Sequence, residues 1–114
     1  MSTTTPKLPK LLLLRQEFTQ LKRRLAKTDF FCPGSLMSVY RRCGKSYCAC
    51  HTDKDSLHGP YMVWTRKVRA KTVTRTLHPK QVDLCKRSIQ NMRKIEAILE
   101  RMKELSAIYI ESQR

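Results

Sequence analysis

The run Cys43-Gly-Lys-Ser-Tyr-Cys48-Ala-Cys50-His51, followed by His58-Gly59-Pro60-Tyr61, decides how the rest of this chain is read. Three thiols lie within eight residues, with two imidazoles close behind. Zinc takes four soft or borderline ligands in a tetrahedron, and a closed site contributes folding energy to a domain too small for a large core. The spacing predicts Cys43, Cys48, Cys50 and His58 as the ligands. His51 adjoins Cys50, and adjacent side chains rarely converge on one ion, yet His51 and Cys32 both stay open as substitutes for the fourth place. Gly44 allows a tight backbone turn after the first thiolate, and Lys45 offsets thiolate charge. The competing reading is a loop of free thiols, with His58 serving only a His-Gly-Pro turn. The Cys-x4-Cys-x-Cys spacing is not the paired Cys-x2-Cys of common zinc fingers.

The whole chain has 114 residues and five cysteines, an odd number that argues against a complete disulfide framework and for metal ligation in a reducing, cytoplasmic setting. Lys7 and Lys10 before Leu11 to Leu14 resemble the start of a leader, but the apolar run ends at Arg15, short of the roughly 7 to 15 residues a signal core needs. No stretch approaches the roughly 20 apolar residues of a membrane span, so no membrane partner is expected.

Outward from the cysteines, the flanks are periodic. Leu11, Leu14, Phe18, Leu21 and Leu25 recur at steps of three and four, which predicts an amphipathic helix over 8–28 able to pack as a coiled coil. Residues 1–7 are small and polar and are expected to be disordered. Residues 32–60 read as the Cys/His loop. Tyr61 to Leu77 is rich in β-branched and aromatic residues on both sides of a basic stretch, predicting a β-hairpin over 61–78, although its turn lacks Asn-Gly or Asp-Gly. Pro79 is suited to a first helical position, and no Gly or Pro interrupts the chain from there to its end, so 79–113 reads as one long helix with an apolar stripe through Val82, Cys85, Ile89, Met92, Ile95, Ile98 or Leu99, Met102, Leu105 and Tyr109. The expectation is a single α+β domain over 8–114: N-terminal helix, metal-stabilised Cys/His loop, β-hairpin and long C-terminal helix, with the two helices pairing as an antiparallel coiled coil.

Charge adds a function class. Lys plus Arg number 24 against nine acids, a net +15. Residues 32–78 hold +7 of it, more than solubility requires, and such an excess meets a polyanion, nucleic acid first. Arg66, Lys67, Arg69, Lys71 and Arg75 concentrate on the expected hairpin beside threonines that can donate to phosphates, and Arg41, Arg42 and Lys45 extend the basic surface to the cysteine loop. Trp64, the sole tryptophan, reads as a core anchor ahead of a stacking platform for a base. Catalysis finds no support: there is no His-x-Glu with Pro-Cys-x-x-Cys, no redox Cys-x-x-Cys, no phosphate-binding glycine loop and no paired carboxylates, so no catalytic residue is expected.

Gly34-Ser35-Leu36, Tyr40-Arg41-Arg42-Cys43-Gly44-Lys45, Cys48-x-Cys50 and His58-Gly59-Pro60-Tyr61, followed by a basic hairpin and a long helix, resemble an uncharacterised family of small bacterial, archaeal and phage proteins known only as a domain of unknown function. The resemblance covers residues 34–105. It implies a shared fold and a shared metal constellation at Cys43, Cys48, Cys50 and His58. It brings no activity, but the neighbourhood of transposase and integrase genes it implies suggests work on mobile-element DNA or RNA. The expected function is a small basic nucleic-acid-binding accessory or regulatory protein with a structural zinc site, oligomeric through its helices and a partner of a larger mobile-element protein. The rival is a non-catalytic coiled-coil adaptor subunit that docks on a larger nucleic-acid enzyme.

Overall fold

The computed structural model describes residues 8–53 and 56–113, so the disorder expected for 1–7 lies outside the described residues. The elements run α1 (Leu8–Ala26), β1 (Ser35–Arg41), a short 3-10 turn (Ala49–His51), β2 (His58–Val68), β3 (Lys71–Thr76) and α2 (Pro79–Ser112). This is the expected α+β order with one strand more. The chain divides into two compact units, one from α1 through Phe31 together with the chain from Gln90 onward, the other Cys32–Ile89.

In the helical unit, the predicted stripe is the packing surface. Leu21, Ile98 and Leu105 are buried, with Leu14, Phe18, Leu25 and Met102 packed against them. The pairing is antiparallel: the Arg15 guanidinium sits 4.9 Å from the centre of the Tyr109 ring, Arg101 grips Glu17, and Asn91 Nδ2 donates to the Phe30 carbonyl at 2.9 Å. Thr28 Oγ1 donates to the Arg24 carbonyl at 3.0 Å, closing the last turn of α1 at the place where a Ser or Thr can answer a free carbonyl.

The second unit is built on a three-stranded antiparallel sheet in the order β1-β2-β3. Residues 34–41 depart from expectation: Ser35–Arg41, read as part of the loop, is a strand paired along β2 from Ser35–Thr65 to Arg41–His58, with an irregularity between Val39 and Arg41. Leu36, Val39 and Tyr40 carry ordinary strand propensity, but only Leu36 and Val39 are partly buried. The pattern is therefore too shallow to announce a strand without its partner. β2 also begins three residues earlier than expected, at His58. The β2–β3 turn is two residues, Arg69 and Ala70, both at positive φ (51° and 67°), so the primed turn forms without the Asn-Gly that usually marks it. α2 opens with a reciprocal cap in which the His78 N–H donates to Gln81 Oε1 at 2.7 Å and the Lys80 N–H donates to His78 Nδ1 at 3.2 Å.

Candidate functional site

Antiparallel pairing of β1 and β2 brings the end of one strand beside the start of the other, and residues 42–57 close the gap between them. Cys43 follows β1, Cys48 precedes the 3-10 turn, Cys50 lies in that turn and His58 opens β2. Their ligand atoms all lie within 4.8 Å of one another. Cys43 and Cys50 Sγ are 3.6 Å apart, and Cys48 Sγ is 3.3 Å from His58 Nε2. With Zn–S of about 2.3 Å and Zn–N of about 2.0–2.1 Å, a tetrahedron has edges of about 3.5–3.8 Å, so these two separations are close to zinc-site edges and the other atoms lie near enough for a modest closure onto one ion.

The donors' electrostatics agree with ligation. The Cys48 thiol is pushed down to about 6, first by the Cys50 backbone N–H and then by the His58 ring beside it. Cys50 is fully buried, and burial pushes its thiol up. A sulfur removed from water, receiving the Cys43 N–H at 3.3 Å, stays protonated unless a cation takes the proton's place. The surroundings brace the cage. Arg42 Nε donates to the Cys50 carbonyl at 3.1 Å, and His51 Nε2 donates to the Cys43 carbonyl at 2.8 Å. His51 is therefore a brace, and His58 takes the fourth place in the cluster. Cys32, the other open alternative, is elsewhere in the unit, its N–H donating to the Ser88 carbonyl at 3.1 Å. Gly59 has φ 129°, and a Cβ there would come 2.7 Å from the Val39 carbonyl, so the glycine of His-Gly-Pro lets β2 start tight against β1 with His58 turned to the cysteines.

The cationic residues expected to meet nucleic acid fall into three environments. Lys67, Arg69, Lys71 and Arg75 are exposed on the β2–β3 hairpin, and no hydrogen bond or ion pair engages their side chains among the described residues. Arg41 and Arg42 stand at the cysteine end of the sheet and are already engaged. Arg41 Nη1 donates to Thr76 Oγ1 at 3.0 Å with its guanidinium 5.8 Å from the Tyr61 ring centre, and Arg42 braces Cys50. Lys45 is exposed beside the cysteines, its carbonyl accepting from the Cys48 N–H at 3.1 Å.

Arg66 differs from its neighbours. Its guanidinium carbon lies 3.9 Å from the Trp64 ring centre, and its Nη1 is buried without a hydrogen-bond partner among the described residues. Trp64 Nε1 in turn donates to the Pro33 carbonyl at 3.0 Å, and a Cβ on Gly34 would come 2.7 Å from that nitrogen and 2.4 Å from the Thr65 carbonyl. Trp64 is thus held at its ring nitrogen and covered on one face by Arg66, but it is only partly buried and stands outside the buried core in which the sequence reading set it. The period-two alternation of the strand held this signal, since residues 64 and 66 share a face while 65 and 67 share the other. Thr65 and Thr74 pair on that other face with hydroxyls 3.4 Å apart, a short polar row next to Lys67 and Thr72.

Cys85 is buried on α2, and burial pushes its thiol up, with Cys32 adding to the effect. Among the described residues no helix is long and apolar enough to cross a membrane. The chain belongs to the family described as Domain of unknown function (DUF6788), which it matches over residues 10–87. No curated protein and no solved structure matches it.

Proposed function

We propose that this chain is a nucleic-acid-binding accessory protein without catalytic activity, in which a structural zinc ion on Cys43, Cys48, Cys50 and His58 secures one end of the sheet and the β2–β3 hairpin presents cations to phosphates. The observation that carries this reading is the segregation of charge. Among the described residues, the ion pairs Glu17–Arg101, Glu104–Arg101 and Glu100–Lys103 all belong to the helical unit, whereas Lys67, Arg69, Lys71 and Arg75 crowd one hairpin that has no acid of its own. Like charges so placed repel, which costs stability unless a polyanion is their partner. Zinc would link residues 43 and 58 across the β1–β2 connection and supply cross-linking energy that the thin apolar core of the sheet unit lacks, since Val63, Cys85 and Ile89 are its buried apolar residues besides Cys50 among the described residues.

The test is fluorescence anisotropy with labelled nucleic acid, comparing the zinc-supplemented chain with a Lys67→Ala/Lys71→Ala/Arg75→Ala variant whose fold is checked by circular dichroism. Removing a cation that neutralises a phosphate weakens binding, and removing three is expected to weaken it by about tenfold or more at low salt. Unchanged affinity in a folded variant overturns the reading.

The adaptor reading has one observation in its favour. Leu12, Leu13, Ile108 and Ile110 are exposed in the helical unit, which is apolar surface suited to another protein's helices. Docking of that kind is nearly insensitive to salt, whereas phosphate binding weakens steeply.

A further inference from the structure

The two residues that turn β2 into β3 are the least expected in the sheet. Val68 pairs with Lys71, leaving Arg69 and Ala70 alone at the apex with φ of 51° and 67°. Both angles lie in the left-handed region, where a Cβ meets the backbone and where Asn and Gly are preferred. Neither side chain offsets that strain by packing, since both residues are exposed. Hairpin stability alone would favour Asn-Gly here. What Arg at 69 provides is a position: a guanidinium at the tip of a two-stranded ribbon, flanked by Lys67 and Lys71.

The hairpin's aromatic side chains lie away from its apex. Trp64, one face of which is covered by Arg66, pairs with Arg75, and Tyr61, beside Arg41, pairs with Val39. A nucleic acid approaching the tip therefore meets cations first and no ring on which to stack an unpaired base, the usual device of single-strand binding. A two-stranded ribbon does fit the major groove of B-form DNA, about 12 Å wide, whereas the major groove of A-form RNA is too deep and narrow for side chains to read. We infer that the β2–β3 hairpin enters the major groove of duplex DNA apex first, with Arg69 as its leading contact, and that the left-handed Arg69–Ala70 turn is kept although it weakens the hairpin. This rests on the nucleic-acid reading above and names its substrate class and leading residue.

The probes are a labelled DNA duplex of about 20 base pairs, the same sequence as an RNA duplex, and one of its DNA strands, all titrated with the zinc-supplemented full chain. Three proteins are compared: the unaltered chain, Arg69→Asn and Ala70→Gly. Both variants relax the turn and are expected to raise the melting temperature followed by Trp64 fluorescence, by about 4 °C each. Arg69→Asn is expected to bind duplex DNA about tenfold more weakly despite its greater stability. Ala70→Gly, which keeps the arginine, is expected to bind as the unaltered chain does. Equal DNA affinity of a folded Arg69→Asn variant overturns the apex role while leaving the nucleic-acid reading to Lys67, Lys71 and Arg75. Preference of the unaltered chain for the single strand or the RNA duplex overturns the groove assignment. Binding to none of the three probes removes the proposed function and this inference with it.

Discussion

Arg101 holds Glu17 in a two-pronged grip, Nε to Oε2 at 2.6 Å and Nη2 to Oε1 at 3.0 Å, tying α1 to α2 across 84 positions of sequence. Fork-on-carboxylate geometry fixes direction as well as energy, so this pair helps set the antiparallel register of the two helices. It lies at the edge of the apolar seam formed by Leu21, Ile98 and Leu105.

A pH dependence follows from it. The hydrogen bond from Arg101 holds the Glu17 carboxyl below its ordinary value of 4.5. A carboxyl depressed in the folded state stabilises the fold above the unfolded pKa, and that contribution fades as pH falls through the folded value. Glu17→Gln should therefore lower the melting temperature at pH 7, and the difference from the unaltered chain should shrink below pH 4.5 and vanish in stronger acid. Thermal melts by circular dichroism across this range check it.

Removal of metal should unfold the sheet unit's loop. Cys50→Ser replaces a fully buried sulfur with a poorer ligand, and Cys48→Ser removes the thiolate beside His58. Either variant is expected to bind less zinc than the unaltered chain, as elemental analysis of the two would read, and to make residues 42–57 the first protease-sensitive site. Chelator treatment of the unaltered chain should reproduce the pattern, because binding energy in structural zinc sites is folding energy.

Zinc should shield the cysteines it holds. In the zinc-supplemented chain Cys43, Cys48 and Cys50 should resist alkylation at pH 7, and chelator should make all three reactive as the loop opens. Peptide mapping after timed iodoacetamide treatment, with and without chelator, reads the difference.

The Trp64–Arg66 stack predicts a structural rather than a binding role for one hairpin cation. Arg66→Ala should cost about 1–2 kcal/mol of stability and shift Trp64 emission, because it removes both a cation over the ring and the stem that covers it. Arg75→Ala, at an exposed position of β3, should leave stability within about 0.5 kcal/mol.

Much of this architecture was legible before the structure. Leu11, Leu14, Phe18, Leu21 and Leu25 disclosed α1 because a seam repeating every three or four residues has one physical reading, and Pro79 disclosed the start of α2 because its missing N–H is free of cost only there. The Cys3His cluster was legible in part: the spacing pointed to Cys43, Cys48, Cys50 and His58, while His51 and Cys32 stayed open for the fourth place until the fold turned His51 to the Cys43 carbonyl. Strand β1 was not legible: half-exposed Leu36 and Val39 gain their meaning from pairing with Trp64 and Tyr61, a non-local relation that propensity does not contain. The same holds for Arg66. Its charge placed it with Lys67 and Arg69, while its strand face placed it on Trp64, and packing outweighed charge.

The central claim, that the exposed hairpin cations meet phosphates, is tested most directly by the salt dependence of duplex DNA binding on the zinc-loaded chain. Four cations, Lys67, Arg69, Lys71 and Arg75, each neutralising one phosphate, predict that log affinity falls with log salt at a slope of about −3 to −4. A slope near zero, or no binding at low salt, would contradict the account.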